Sequence, residues 1–103
     1  MRGDIYRLRS DRRARGHEQT GVRYGIVLQA GLGLSTAVVA PTSLSAQPRS
    51  FRPRIEMPDG RTTVLVDQLA AVDLERLGDL AGRVNPEEMA EIDRALRIVL
   101  GLL

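Results

Sequence analysis

Cysteine, lysine and tryptophan are absent from this 103-residue sequence, and histidine occurs once, as His17. The lack of cysteine excludes disulfide bonds and thiolate metal sites. A single histidine argues against a zinc centre, because zinc usually draws several histidine or cysteine ligands. These absences argue against a metal centre built on cysteine or histidine, and no cofactor is expected.

The basic residues are all arginines, fifteen in number, and arginine presents a planar fork that suits phosphate groups. Residues 1–54 hold ten arginines against three acidic residues, whereas residues 55–103 hold five against ten. The net charge of +2 therefore hides a basic first half. This asymmetry fits either a nucleic-acid face or a dipolar fold whose two halves attract each other.

The basic start, the apolar stretch at 25–40 and the tripeptide Leu44-Ser45-Ala46 imitate a secretory signal. The imitation is poor, because acidic residues lie inside the leader and polar residues and glycines interrupt the apolar stretch. The stretch is also too short and too broken for a membrane span. We therefore predict a cytoplasmic protein that does not use a membrane.

Short apolar runs bounded by glycine, proline and polar residues predict strands over residues 4–8, 24–28, 35–41, 54–57, 62–67 and 80–84. Pro41 is expected to end its strand because it has no N–H for the ladder, which leaves Thr42 and Ser43 just beyond. Asp67 and Gln68 are expected at the far end of another strand. A single helical turn capped by Asp73 is expected over 73–78.

The clearest local signal begins the last helix, where Asn85 is a cap, Pro86 occupies the first helical position and Glu88 completes a capping box. Apolar residues recur in steps of three and four at Met89, Ile92, Leu96, Val99 and Leu103. The helix is expected to end near Gly101. Asp93 and Arg97 are spaced to pair on the outer face. Antiparallel strands followed by this helix predict one small α+β, barrel-like domain over residues 1–103.

A polar segment between the first two strands, residues 16–24, is the most distinctive stretch. Its reactive side chains are His17, Glu18, Gln19, Thr20 and Arg23. A loop this long in so small a domain is unusual unless it has a function. An ordinary solvated turn has the same composition, so both interpretations stay open on composition alone.

Six segments, in the family's order, resemble the MazF/PemK/Kid family of toxin endoribonucleases. Residues 1–6 resemble its opening "RGDIY/W", and residues 14–23 resemble its "ARGxEQxGxR" loop, with the His-Glu-Gln version that PemK and Kid carry. The others are 38–43 ("VVPxTS"), 66–68 ("xxDQ"), 74–78 (the short helical turn) and 82–96 ("GRLxPExMxEVDxAL").

The resemblance implies an SH3-like barrel of the PemK/CcdB type with a C-terminal helix, usually a homodimer. It implies cleavage of single-stranded RNA, without a metal, by attack of the substrate's 2′-hydroxyl. It also implies a small antitoxin protein that inhibits the toxin by covering the RNA groove.

The same resemblance implies site residues. Arg23 would steady the extra charge on the phosphorus through its fork, and Thr42 would hold the phosphate or the 2′-hydroxyl. The proton acceptor is left open among His17, Glu18 and Asp67. RNA contacts are expected from Gln19, Thr20, Ser43, Arg49, Arg52, Asp67 and Gln68.

The chain departs from the family pattern at Tyr24, where a proline is usual, and at Leu65, where the PemK/Kid branch has a catalytic arginine. The second departure favours Arg23 with Thr42 as the catalytic pair and makes Asp67 a groove residue. Because aromatic residues are few, base reading is expected to rely on polar groups more than on stacking.

An alternative function stays open. A catalytically weakened relative, or a contact toxin of the gyrase-inhibiting CcdB type, would use the same barrel to bind a protein target without cutting RNA. Such a protein would not need the Arg23 loop or the hydroxyls at Thr42 and Ser43.

Overall fold

The computed structural model describes residues 1–9 and 23–102, and within them a curled antiparallel sheet carries one α-helix at its C-terminal end. The predicted loop residues His17, Glu18, Gln19 and Thr20 lie outside the described residues. The strands are β1 Asp4–Leu8, β2 Arg23–Val27, β3 Thr36–Ser43, β4 Arg54–Met57, β5 Gly60–Val64, β6 Ala70–Asp73 and β7 Leu77–Arg83, followed by α1 Pro86–Leu100. The predicted α+β class, with antiparallel strands before a terminal helix, is confirmed.

The long strand β3 organises the sheet, whose order is β4-β5-β3-β2-β1-β7 with β6 also paired to β3. One edge of β3 pairs with β2, and the other pairs first with β6 and then with β5. Because β3 changes partners along its length, the sheet curls into a half-barrel instead of lying flat.

Pro41 lies inside β3, so the prediction that it ends its strand is wrong. The ladder uses its carbonyl, which accepts a hydrogen bond from the N–H of Leu65 at 2.8 Å. The missing N–H does not interrupt the strand at this point, where β3 exchanges one partner for another. Thr42 and Ser43 are therefore the last two residues of β3.

The predicted strand at 62–67 is too long. The strand β5 stops at Val64, and a short 3₁₀ turn at Val66–Gln68 carries Asp67. The chain turns inward here because Val66 is fully buried in the core. Asp67 and Gln68 therefore belong to a turn and not to a strand end.

The strand β6 is missing from the predicted elements, and β7 begins at Leu77, earlier than expected. The predicted helical turn is the 3₁₀ turn Leu74–Arg76, but the side chain of Asp73 makes no capping hydrogen bond. Asp73 belongs to β6 and pairs with Thr36 of β3, so sheet pairing takes precedence over the local capping preference.

The main core lies between the sheet and α1. Its fully buried side chains include Ile5, Ile26, Ile55 and Ile92. A smaller cluster on alternate positions of the central strands contains Val27, Ala37, Val39 and Val72. The prediction that the apolar centre of β3 is buried on both faces is therefore confirmed.

The predicted start of α1 is confirmed by reciprocal hydrogen bonds. Asn85 Oδ1 accepts from the N–H of Glu88 at 2.7 Å, and Glu88 Oε1 accepts from the N–H of Asn85 at 2.9 Å. Glu88 Oε2 also accepts from the N–H of Glu56 at 2.7 Å, which ties the helix to β4. At the other end, Gly101 adopts a left-handed conformation, φ 67°, which glycine tolerates best.

Asp93 forms a different ion pair from the predicted one. Its partner is Arg2, whose Nε–H also donates to the carbonyl of Leu28 at 2.8 Å. Asp93 is half-buried on the side of α1 that faces the start of the chain, so Arg2 and not Arg97 is paired with it. No helix in the described residues is long and apolar enough to cross a membrane.

Candidate functional site

Arg23 is the first residue of β2, where its backbone pairs with Leu8 of β1. Its side chain is half-buried, and Nε is shielded from solvent with no hydrogen-bond partner among the described residues. A buried donor without an acceptor is costly, and buried polar groups are nearly always paired in folded proteins. An incoming anionic oxygen would supply the missing acceptor and add a charge-assisted hydrogen bond.

Thr42 lies on β3, the strand that pairs with β2, one position away from the level of Arg23. The register Gly25 to Pro41, continued by one residue, sets Thr42 beside Tyr24. The Thr42 hydroxyl donates to the Tyr24 carbonyl at 3.4 Å and is buried at 7% exposure. Because this O···O distance is longer than that of an ordinary O–H···O hydrogen bond, the bond is weak and the hydroxyl can be drawn to a stronger acceptor.

Ser43 follows Thr42 and lies, by the same register, beside Arg23. Its Oγ accepts a hydrogen bond from the N–H of Ala46 at 3.1 Å. Thr63, which pairs with Ser43 across the sheet, donates to the Ala46 carbonyl at 3.2 Å. The hydroxyls of Ser43 and Thr63 fix the start of the loop that follows β3. The sequence pattern at Thr63 indicated only a strand residue and gave no sign of this positioning role.

That loop brings two predicted arginines to the site. Arg49 and Arg52 exchange backbone hydrogen bonds of 2.9 and 3.2 Å, which close a tight turn. Arg49 is exposed, and Arg52 is half-buried beside the ring of Phe51, with its Cζ 5.7 Å from the ring centroid. Phe51 packs against the main core and thereby anchors the turn.

Arg52 makes a two-pronged ion pair with Asp67. Its Nε–H donates to Oδ1 at 2.8 Å and an Nη2–H donates to Oδ2 at 2.7 Å. The hydrogen bonds from Arg52 hold the pKa of Asp67 below its usual range. Asp67 is therefore a poor candidate for the proton acceptor, because both oxygens are engaged and the carboxylate is less basic than a solvated one.

Gln68 is exposed at the end of the 3₁₀ turn, so its amide is accessible. The exposed Arg54 of β4 pairs with Thr63 of β5. Strand register places Ser43 beside Arg23 and Thr42 beside Tyr24, and the segments before β4 and after β5 carry the Arg52–Asp67 pair. We call Arg23, Arg49, Arg52 and the residues paired with them the arginine side. The four predicted loop residues at 17–20 lie outside the described residues.

The two departures from the family pattern have structural explanations. Leu65 is buried at 5% exposure, with its N–H bonded to β3, so its position belongs to the core and an arginine there would lose its hydration. Tyr24 packs against the main core and offers its carbonyl to Thr42. Neither side chain replaces a catalytic group.

A recess of about 210 Å³ lies elsewhere, between the β4–β5 hairpin and the start of α1. Its lining includes four glutamates: Glu56, Glu87, Glu88 and Glu91. Arg54 and Arg61 line it as well, so four carboxylates face two guanidinium groups and the recess is acidic on balance, which disfavours an anion. In residues 1–9 and 23–102, no three carboxylate or imidazole groups are placed to hold a metal ion.

The curled antiparallel sheet and its C-terminal helix define the class of the protein, a small α+β half-barrel. A family model described as PemK-like, MazF-like toxin of type II toxin–antitoxin system matches residues 1–100. A candidate toxin of Mycobacterium tuberculosis H37Rv, Rv3098A, is 38% identical over 99% of this chain and 98% of its own length. The chain belongs to this PemK-like, MazF-like toxin family, which confirms the resemblance found in the sequence.

Two further similarities cover the whole chain. Endoribonuclease EndoA of Bacillus subtilis is 31% identical over 99% of this chain and 95% of its own length. The solved structure of an endoribonuclease in complex with its cognate antitoxin, from a mycobacterial species, superposes with a TM-score of 0.79 at 22% identity. It covers 100% of this chain and 96% of that one, and at that identity it supports the fold.

Proposed function

We propose that this toxin is an endoribonuclease that cleaves single-stranded RNA by attack of a 2′-hydroxyl, without a metal ion. The observation that carries the proposal is the buried Nε of Arg23, which has no partner among the described residues and belongs to the strand that pairs with the one carrying Thr42. A phosphodiester oxygen would satisfy this donor. Membership of the family and the similarity to endoribonuclease EndoA support the same chemistry.

The proposed reaction exchanges one phosphorus–oxygen bond for another. The 2′-hydroxyl loses its proton to a base, for which His17 and Glu18 are the candidates, and its oxygen attacks the adjacent phosphorus. The bond to the 5′-oxygen breaks, and that oxygen takes up a proton. The products are a 2′,3′-cyclic phosphate end and a 5′-hydroxyl end.

Arg23 acts in this scheme as the cation that stabilises the charge developing on the phosphoryl oxygens. Thr42 exchanges its weak hydrogen bond to Tyr24 for one to the phosphate or the attacking hydroxyl. Gln19, Thr20, Ser43, Arg49, Arg52 and Gln68 form the RNA-contacting set, in which the arginines supply salt-sensitive affinity for the backbone. Asp67 belongs to this set through its ion pair with Arg52.

The partners follow from this function. The substrate calls for a cytoplasmic location. A cognate antitoxin, as in the mycobacterial complex, would inhibit by covering the arginine side. Exposed apolar side chains at the end of the chain, including Ile98, Leu100 and Leu102, support a homodimer, since they would gain from burial against a second copy.

The contact-toxin alternative is not favoured. A protein that works by contact has no need of a buried arginine donor without an acceptor. EndoA and the mycobacterial protein of the solved complex both carry the name endoribonuclease. No observation in the described residues indicates a protein target instead of RNA.

The test is to incubate the purified protein with a long single-stranded RNA in EDTA and to map the cuts by primer extension. Discrete cuts with 2′,3′-cyclic phosphate ends, lost in Arg23→Ala and retained in Arg97→Ala, are the expected result. Arg97 lies exposed on α1, so its variant matches the change in charge. Absence of cuts from folded wild-type protein across several RNAs would contradict the proposal.

A further inference from the structure

The ion pair between Arg52 and Asp67 leaves much of the guanidinium unused. A guanidinium has five N–H donors in a fixed fork, and Asp67 takes one on Nε and one on Nη2. The other three, two on Nη1 and one on Nη2, have no acceptor among the described residues. The Asp67 carboxylate thus occupies one edge of the fork and leaves the opposite edge available to a ligand.

Arg52 is held in this orientation from two directions. The carboxylate fixes one edge, and the ring of Phe51 lies against the guanidinium at 5.7 Å. Phe51 is anchored in the core, and Asp67 is carried by the 3₁₀ turn that follows the buried Leu65 and Val66. Because the side chain is already ordered, it loses little entropy when it binds. The pair is still partly open to solvent, with side-chain exposures of 27% and 29%.

Backbone pairs connect Arg52 with the catalytic candidates. The carbonyl of Pro53, the next residue, accepts from Val64 at 2.8 Å, and Val64 pairs with Thr42. Neighbouring strands lie about 4.8 Å apart, so the backbones of Pro53 and Thr42 are roughly 10 Å apart. Arg52 is therefore close enough to contact the same bound strand as Arg23.

We propose that Asp67 is a positioning residue. It holds the Arg52 guanidinium so that the edge facing away from Asp67 binds a second phosphate of the RNA backbone. Asp67 itself touches neither the reacting atoms nor a base. The inference rests on the proposed RNA-cleaving function and assigns to Asp67 a role different from proton acceptor or base reader. It also explains why a carboxylate benefits a surface that must attract a polyanion.

Charge alone predicts the opposite effect, which makes the idea testable. Removing the negative charge of Asp67 should tighten binding to RNA if the carboxylate only repels phosphates. Under the proposal, Asp67→Asn weakens binding because the fork loses its orientation. Arg52→Lys, which keeps the charge but has no fork, weakens it as well.

The experiment measures the dissociation constant of a single-stranded RNA probe, 2′-O-methylated throughout so that it cannot be cleaved, over a series of salt concentrations. Asp67→Asn and Arg52→Lys are expected to weaken binding about 10- to 150-fold, the range of one charge-assisted hydrogen bond. Arg52→Ala should also lower the slope of log affinity against log salt by about 0.7. Asp67→Glu, which keeps a carboxylate, should restore part of the loss.

The matched control is the exposed pair of Arg61 and Glu56 on the β4–β5 hairpin, whose charged atoms are 3.1 Å apart. Glu56→Gln repeats the loss of a carboxylate charge, and Arg61→Lys repeats the replacement of a guanidinium by an ammonium. Both should leave the affinity within about twofold, since exposed pairs contribute little. Circular dichroism checks that each variant folds; if Asp67→Asn does not, Arg52→Lys decides the question alone.

The outcomes separate the inference from the function on which it rests. One outcome contradicts the positioning role alone. In it, wild-type protein binds and cleaves RNA, Asp67→Asn binds as tightly as Glu56→Gln, and Arg52→Lys binds as tightly as wild type. The pair would then only hold the loop in place. If wild-type protein neither binds the probe nor cuts RNA, both the proposed function and this inference are overturned.

Discussion

The helix end of the molecule and its arginine side treat their polar groups in opposite ways. Around α1, Asn85 and Glu88 satisfy each other's donors, and Arg2 divides its donors between Asp93 and a backbone carbonyl. On the arginine side, Arg23 has a buried N–H without a partner in the described residues, and Arg52 has unused donors. The first region is complete without a ligand, whereas the second gains hydrogen bonds when an anion arrives.

The largest expected effect breaks the arginine side without disturbing the helix end. Arg23→Ala should lower the cleavage rate by about 10²–10³-fold, the cost of removing one donor that stabilises transition-state charge. The melting temperature should not fall, because the side chain has an unsatisfied Nε in the unbound protein. Single-turnover cleavage and thermal unfolding of the same preparation measure both quantities, and wild-type cleavage by the variant would remove Arg23 from the mechanism.

The converse change targets the helix end. Ile92 is fully buried in the main core, so Ile92→Ala should lower the free energy of unfolding by about 2–5 kcal/mol, the cost of a cavity at such a site. Cleavage per folded molecule should be unchanged, because the helix lies on the core side of the sheet. Urea unfolding measures the loss, and Arg94→Ala, at an exposed position of the same helix, is the control.

A smaller change sharpens the comparison at one hydrogen bond. Asn85→Ala leaves the N–H of Glu88 without its acceptor and should cost about 1 kcal/mol of folding stability. Asn85→Asp, which retains an acceptor at the cap, should restore it. Urea midpoints of the two variants provide the measurement, and equal midpoints would mean that the side-chain cap contributes nothing.

The two regions also differ in how well the sequence predicts them. The start of α1, its buried face and its end at Gly101 follow from local rules, because caps and periodicity depend on residues a few positions apart. The side chains of the arginine face are brought together by long-range pairing. Neither the pairing of β5 with β3 nor the contact between Arg52 and Asp67 leaves a local signal.

The errors have the same origin. Pro41 and Asp73 were interpreted by local preference, as a strand end and a helix cap, and both positions are decided by pairing with distant strands. Asp93 was paired with a residue four positions along the helix, whereas its partner comes from the second residue of the chain. The resemblance to a known family supplied the site residues that local patterns could not.

The smallest expected effect concerns pH and tests the pairing of Asp67. Its pKa is lowered in the folded protein, first by hydrogen bonds from Arg52, so the folded state binds that proton less readily than the unfolded chain. The resulting stabilisation is present above the ordinary aspartate pKa of about 3.9 and is lost as the pH falls through the lower folded value. Wild-type protein should therefore lose stability below about pH 4 more steeply than Asp67→Asn.

The pH experiment compares urea midpoints of the two proteins between pH 6 and pH 3. Asp59→Asn, in the exposed β4–β5 turn, is the control and should follow the wild-type curve. The difference should be small, because a partly exposed ion pair is screened by solvent. Parallel curves for wild type and Asp67→Asn would mean that Arg52 and Asp67 are not paired in solution, and the arginine side would then have to orient Arg52 by contact with Phe51 alone.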